Sequence, residues 1–173
     1  MGAGLGRIAD GLDRINRSVG AVVMWLTLAM VLLQFAVVLL RYVFGISSIF
    51  VNEGVLYLHA TIFMLGAGYT LLVQGHVRVD IFYANLTPRR RAMVDLFGHL
   101  FLLAPSLVIL LYWSWPMVTR SWAILEGPIS VGGIPASFLL KSLVPAFCVL
   151  LLIQGASATI RDLIRLSEPD DAA

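Results

Sequence analysis

Ionisable side chains embedded in apolar sequence are where a membrane chain does its chemistry, because a charge in hydrocarbon is expensive unless it is paired or functional. This chain has few of them: His59, Asp95 and His99, with Glu53 at the edge of an apolar run. Two histidines on neighbouring helices raise the idea of a b-type haem. Helical spacing argues against it, since each lies about 9 Å from opposite faces of a core about 30 Å thick, more than ~10 Å apart along the membrane normal. One iron cannot take both as axial ligands, and His76 falls in a loop, so no cofactor is expected. Asp95 and His99 are four residues apart on one helix and can pair with each other, with Ser106 continuing their face. A small four-helix exporter needs a buried carboxylate to couple protons, and the first apolar run here has none. Neither an inverted repeat nor an acid at a broken helix is visible. Phosphate loops, nucleophile elbows and metal-spaced His/Glu sets are also missing from the sequence. With one cysteine, Cys148, disulfides and Cys-rich metal sites are excluded. These residues describe a non-enzymatic helical scaffold, with a redox-complex anchor and a stand-alone exporter as the alternatives.

Composition says what holds these residues. Of 173 residues, 60% are hydrophobic and 13% charged, about half the charge of an ordinary soluble domain, and the mean hydropathy is +0.92. A net charge of +2 without a basic stripe interleaved with aromatics gives no sign of nucleic-acid binding. The expected fold is all-α, a single integral membrane domain of four transmembrane helices over 19–40, 53–74, 92–118 and 137–160. An inner loop covers 75–91, an outer loop 119–136 and a tail 161–173, with short interfacial segments between helices. Residues 1–18 are polar and resemble a signal peptide, but the apolar run behind them is about 22 residues long, enough to span. Asn52 is a plausible N-cap that leaves Glu53 in the first turn, where the helix dipole favours a negative charge. Thr87-Pro88 is a clearer boundary, a capping hydroxyl followed by proline at the first helical position. Pro105 and Pro116 should kink the third span. Nine of the 12 lysines and arginines fall on the side of the termini, in 1–18, 75–91 and 161–173; only Arg41, Arg120 and Lys141 lie opposite. Both termini are therefore expected in the cytoplasm.

Residue spacing also suggests surfaces. Thr27, Gln34 and Arg41 recur at seven-residue steps, and His59, Gly66 and Thr70 share a face at spacings of seven and four. Both patterns suit helix or subunit packing, as small residues permit close approach. Arg78, Arg89, Arg90 and Arg91 form a basic collar suited to lipid headgroups. Glu53, Arg120 and Glu126 lie on the outer side.

Residues 52–91 resemble the small membrane subunit of tripartite ATP-independent periplasmic (TRAP) transporters. The likeness rests on Glu53 opening the second helix, the Gly66-Ala67-Gly68-Tyr69 centre and the loop Gly75-His76-Val77-Arg78-Val79-Asp80 before a basic helix start. Arg41-Tyr42-Val43-Phe44 also fits the end of the family's first helix. The family often places an aromatic and two adjacent acids at helix two, whereas this chain has Val51-Asn52-Glu53. The resemblance implies a large multi-helix permease subunit that binds substrate and sodium and moves as an elevator. It also implies the inner membrane of a bacterial or archaeal cell, with a multi-pass chain in it, and a periplasmic binding protein that delivers an organic acid. The small subunit would be a static brace, with Glu53, Arg120 and Glu126 placed to meet the binding protein.

Overall fold

The computed structural model describes residues 2–75 and 86–167, and among these every regular element is helical. His76, Arg78 and Asp80 of the expected inner loop, and the tail from residue 168, lie outside the described residues.

Helix α1 runs from Gly2 to Phe44 without interruption. The chain has no proline before Pro88, so nothing removes a backbone donor along this stretch. At 1.5 Å per residue α1 is about 65 Å long, twice the thickness of a hydrocarbon core. The polar segment 1–18 is therefore not a tail ahead of the first helix; from Gly2 onward it is that helix's own protruding half. It ends where Gly45 takes φ 68, a left-handed conformation that glycine adopts without strain. Helix α2 spans Ile49–Leu72 with Ser48 as the extended N-cap residue. Asn52, the expected cap, lies inside the first turn and donates its N–H to Ser48 O at 3.1 Å.

Helix α3 covers Pro88–Ala123. Thr87 caps it as its sequence indicates, its hydroxyl accepting from Arg90 N at 3.4 Å with Pro88 at the first position. Its middle widens into a π-helix at Gly98–Leu103, just before Pro105. Proline cannot donate to the carbonyl four residues back, and the wider turn changes which groups pair: Ala104 N bonds to His99 O. The change of register also separates the face expected for Asp95, His99 and Ser106. Ser106 is exposed, while His99 is half-buried. Helices α2 and α3 end alike, with Gln74 and Leu125 at φ 53 and 44. Gly75 N bonds to Thr70 O at 2.8 Å and Glu126 N to Ser121 O at 3.0 Å, the 6→1 closure that satisfies the last free carbonyls.

Helix α4, Ser137–Ser167, is the centre of the assembly: α1, α2 and α3 all pack on it. Helices α1 and α2 also pack on each other, so the two form a triangle with α4, and α3 lies against α4. Small residues make the α1–α2 seam close. Gly20 lies under the Tyr69 ring, Gly66 beside Val23, and Gly68 against Asn16 and Leu150. Leu107, Cys148 and Leu151 form the buried apolar cluster between α3 and α4. All four helices are long and apolar enough to cross a membrane.

Candidate functional site: the two polar ends of the bundle

The end that carries both termini is held by a ladder of buried side chains. On α1, Ala9, Asp13, Asn16 and Gly20 are spaced four, three and four apart; on α4, Leu150, Gln154, Ser157 and Arg161 repeat that spacing. Such a pattern keeps one stripe facing an antiparallel partner over several turns. Asn16 Nδ2 donates to Leu150 O at 3.2 Å and to Gln154 Oε1 at 3.0 Å. Gln154 Nε2 donates in turn to Asp13 Oδ1 at 3.0 Å. Ser157 donates to the same carboxylate oxygen and to Ala9 O. Arg161 closes the ladder on Asp13 Oδ2 and on Asp10 Oδ1. Asp13, Asn16, Gln154 and Ser157 are all buried. A charge at low exposure survives only when paired and hydrogen-bonded, and Asp13 has both.

Beside the ladder lies a cavity of about 420 Å³, open on one side and walled by the ends of all four helices. In its wall His99 of α3 meets Asp162 of α4, Nδ1 to Oδ2 at 3.4 Å, and Arg165 approaches the other Asp162 oxygen at 3.6 Å. His99 Nδ1 and Asp162 Oδ2 are nonetheless buried without an aligned hydrogen bond. His99 thus turns toward α4, and Asp95 lines the same cavity.

The opposite end is built on carboxylates that hold a loop. Glu53 is only 8% exposed, and its oxygens accept from Ser130 N at 3.0 Å and Ile134 N at 2.7 Å. The Gly133 backbone passes so close that a Cβ there would fall on the Glu53 carboxylate. Glu53 therefore faces into the bundle and holds the loop between α3 and α4. Glu126 accepts from Lys141 and from Ser121, and these donors hold its carboxyl below the usual carboxylate range, Lys141 first. Trp122 Nε1 donates to Ser142 Oγ at 2.8 Å and its ring packs edge-on against Phe138. Arg120, in the last turn of α3, is exposed.

The remaining expected surfaces divide. Gly66 lies in the α1–α2 seam, and the Thr70 hydroxyl donates to Gly66 O at 3.0 Å. Thr27, Gln34 and Arg41 on α1 and His59 on α2 are exposed, Thr27 donating only to its own helix at Val23 O. Arg89 and Arg90 are exposed, and Arg91 donates its Nε to Leu86 O at 3.0 Å. Sequence reasoning missed Asp13, Asn16, Gln154 and Ser157. Their four-three-four spacing, extended into residues set aside as polar flank, was the available signal.

Residues 30–165 match the family of tripartite ATP-independent periplasmic transporters, DctQ component. A relative from Vibrio cholerae, the C4-dicarboxylate TRAP transporter small permease protein DctQ, is 33% identical over 100 residues, 54% of this chain and 42% of that protein. The match thus spans less than half of that relative's length. No solved structure matches. That agreement, with four spanning helices and a bundle knit together at both ends, makes the chain a multi-pass inner-membrane protein and a member of the DctQ component family of tripartite ATP-independent periplasmic transporters.

Proposed function

We propose that the chain is a static brace for a large elevator-type permease subunit, in a sodium-coupled system that takes up an organic acid handed over by a periplasmic binding protein. The observation that carries this reading is the outer half of α1. Its most apolar window is unburied, and that uncovered surface includes the exposed amide of Gln34 in the middle of the span. Lipid tails can cover the leucines and phenylalanines, but they offer an amide no hydrogen bond. A partner helix supplies both contacts. Gln34 and Thr27 on α1, with His59 on α2, mark the surface this partner covers. Arg120 is the exposed outer charge best placed to meet the binding protein. The substrate class follows the Vibrio cholerae relative's name only as far as a carboxylate.

The test is a mild-detergent pull-down of the tagged chain from its native membranes. One large polytopic permease should co-purify stoichiometrically, and Gln34→Leu should weaken its recovery. Recovery of haem or flavin subunits, or of the chain alone as a homo-oligomer, overturns the reading.

A further inference from the structure

We infer that the cavity between the four helices at the terminal end is a binding site for a single aminophospholipid headgroup. Its volume, about 420 Å³, is more than a lone ion needs and within the range of small-ligand sites. Its lining has both signs of charge. Arg17, Arg161 and Arg165 line it together with Asp13, Asp95, Asp162 and His99, Arg165 lying 3.6 Å from Asp162, and Leu72 and Val73 form an apolar wall. Arg17 is exposed, so its five donors are available to a phosphate. The Asp162 side chain is 6% exposed, with His99 Nδ1 3.4 Å from its Oδ2 and Arg165 3.6 Å from its Oδ1, yet neither approach makes an aligned hydrogen bond. A buried carboxylate oxygen left unsatisfied is costly, and a ligand that donates hydrogen bonds removes the cost.

Depth identifies the source. Arg17 lies one residue short of the apolar run of α1, Val73 follows α2, and Asp162 lies one residue beyond the apolar run of α4. These positions all stand at the level where hydrocarbon gives way to headgroups. A lipid entering through the open side keeps its chains along the exposed apolar surface. Its phosphate meets Arg17 and Arg165, and its primary ammonium reaches Asp162. The site takes phosphatidylethanolamine in preference to phosphatidylcholine, whose quaternary nitrogen has no N–H. It also prefers it to phosphatidylglycerol, which carries no amine. This inference is independent of which permease the chain braces.

The full-length chain, delipidated and returned to mixed micelles with equal amounts of the three lipids, tests it by native mass spectrometry. One phosphatidylethanolamine should be retained above the other two. Asp162→Asn should abolish the preference over phosphatidylcholine, an effect of about ten-fold, the scale of one charge-assisted hydrogen bond. Arg17→Gln, an exposed position whose change leaves the fold alone, should lower retention of all three lipids together, and Arg120→Gln at the other end should change nothing. Equal retention of the three lipids by the native chain overturns the inference, and so does an Asp162→Asn protein that keeps the preference. Displacement of the bound lipid by an equal concentration of free phosphoethanolamine overturns the lipid assignment in favour of a soluble phosphoamine.

Discussion

At the end that carries the termini, Gln154 and Asp13 are joined across 141 residues of sequence and tie two helices together. At the other end Glu53 reaches across 77 and 81 residues but holds backbone amides of a loop. The first arrangement pairs side chains mainly with side chains, and otherwise with helix carbonyls, on two rigid rods. The second satisfies a carboxylate with N–H groups whose positions depend on the loop adopting one shape. A rigid pair cannot relax when one member is removed, so its buried polar groups stay unpaired. A loop can open and let water in, which limits the damage and keeps it local.

Asp13→Ala is the strongest way to test that difference. It strips Gln154 Nε2 of its acceptor and removes the buried half of the Arg161 pair, and should cost about 3 kcal/mol, seen as a lower melting temperature in detergent for the whole chain. A melt no lower than that of Glu53→Gln would break the contrast. A matched glycine pair sharpens it. A Cβ on Gly68 would fall on Asn16 Oδ1 and crowd Leu150, between helices that cannot part. Gly68→Ala should therefore cost about 2 kcal/mol, and Gly133→Ala less, because the loop can shift away from Glu53. Glu53→Gln, which keeps one acceptor for two loop amides, should cost about 1 kcal/mol. Hydrogen exchange should rise over 128–136 and stay unchanged at the α1–α4 ladder. The smallest effect is that of acid on Glu126. Because its folded carboxyl is held low by Lys141 and Ser121, that stabilisation is present above the ordinary carboxylate range and lost as pH falls through the folded value. Exchange at 124–137 should rise only as the pH falls below the ordinary glutamate value of 4.5, and should stay level from there up through neutral pH.

How far sequence reasoning reached follows the same division. The four spans and the Thr87-Pro88 start are local facts, set by hydropathy over twenty residues and by two adjacent side chains, and they were readable. The protruding half of α1 was not, because Asp13 and Asn16 look like solvated flank until Gln154, Ser157 and Arg161 stand opposite them. Glu53 was read through the helix dipole, the nearest available field, while its actual donors lie at Ser130 and Ile134. His99 was paired with Asp95 because four residues is one helical turn. The π-segment that begins at Gly98 alters that turn, and Asp162 lies 63 positions further along the chain. For Glu53 and His99 local rules named a nearby partner, and a distant residue on α4 or the α3–α4 loop took the place.

Cys148 gives this bundle a practical property. It is the chain's one thiol and is 0% exposed, enclosed where α3 meets α4. A maleimide that spares the folded protein and modifies it on heating would time the separation of those two helices without any introduced label. The same silence at rest makes the natural sequence a clean background for reporters. A cysteine placed at Gln34 or Arg120 would be the only thiol to react, so crosslinks from each surface could be mapped without first removing the native one.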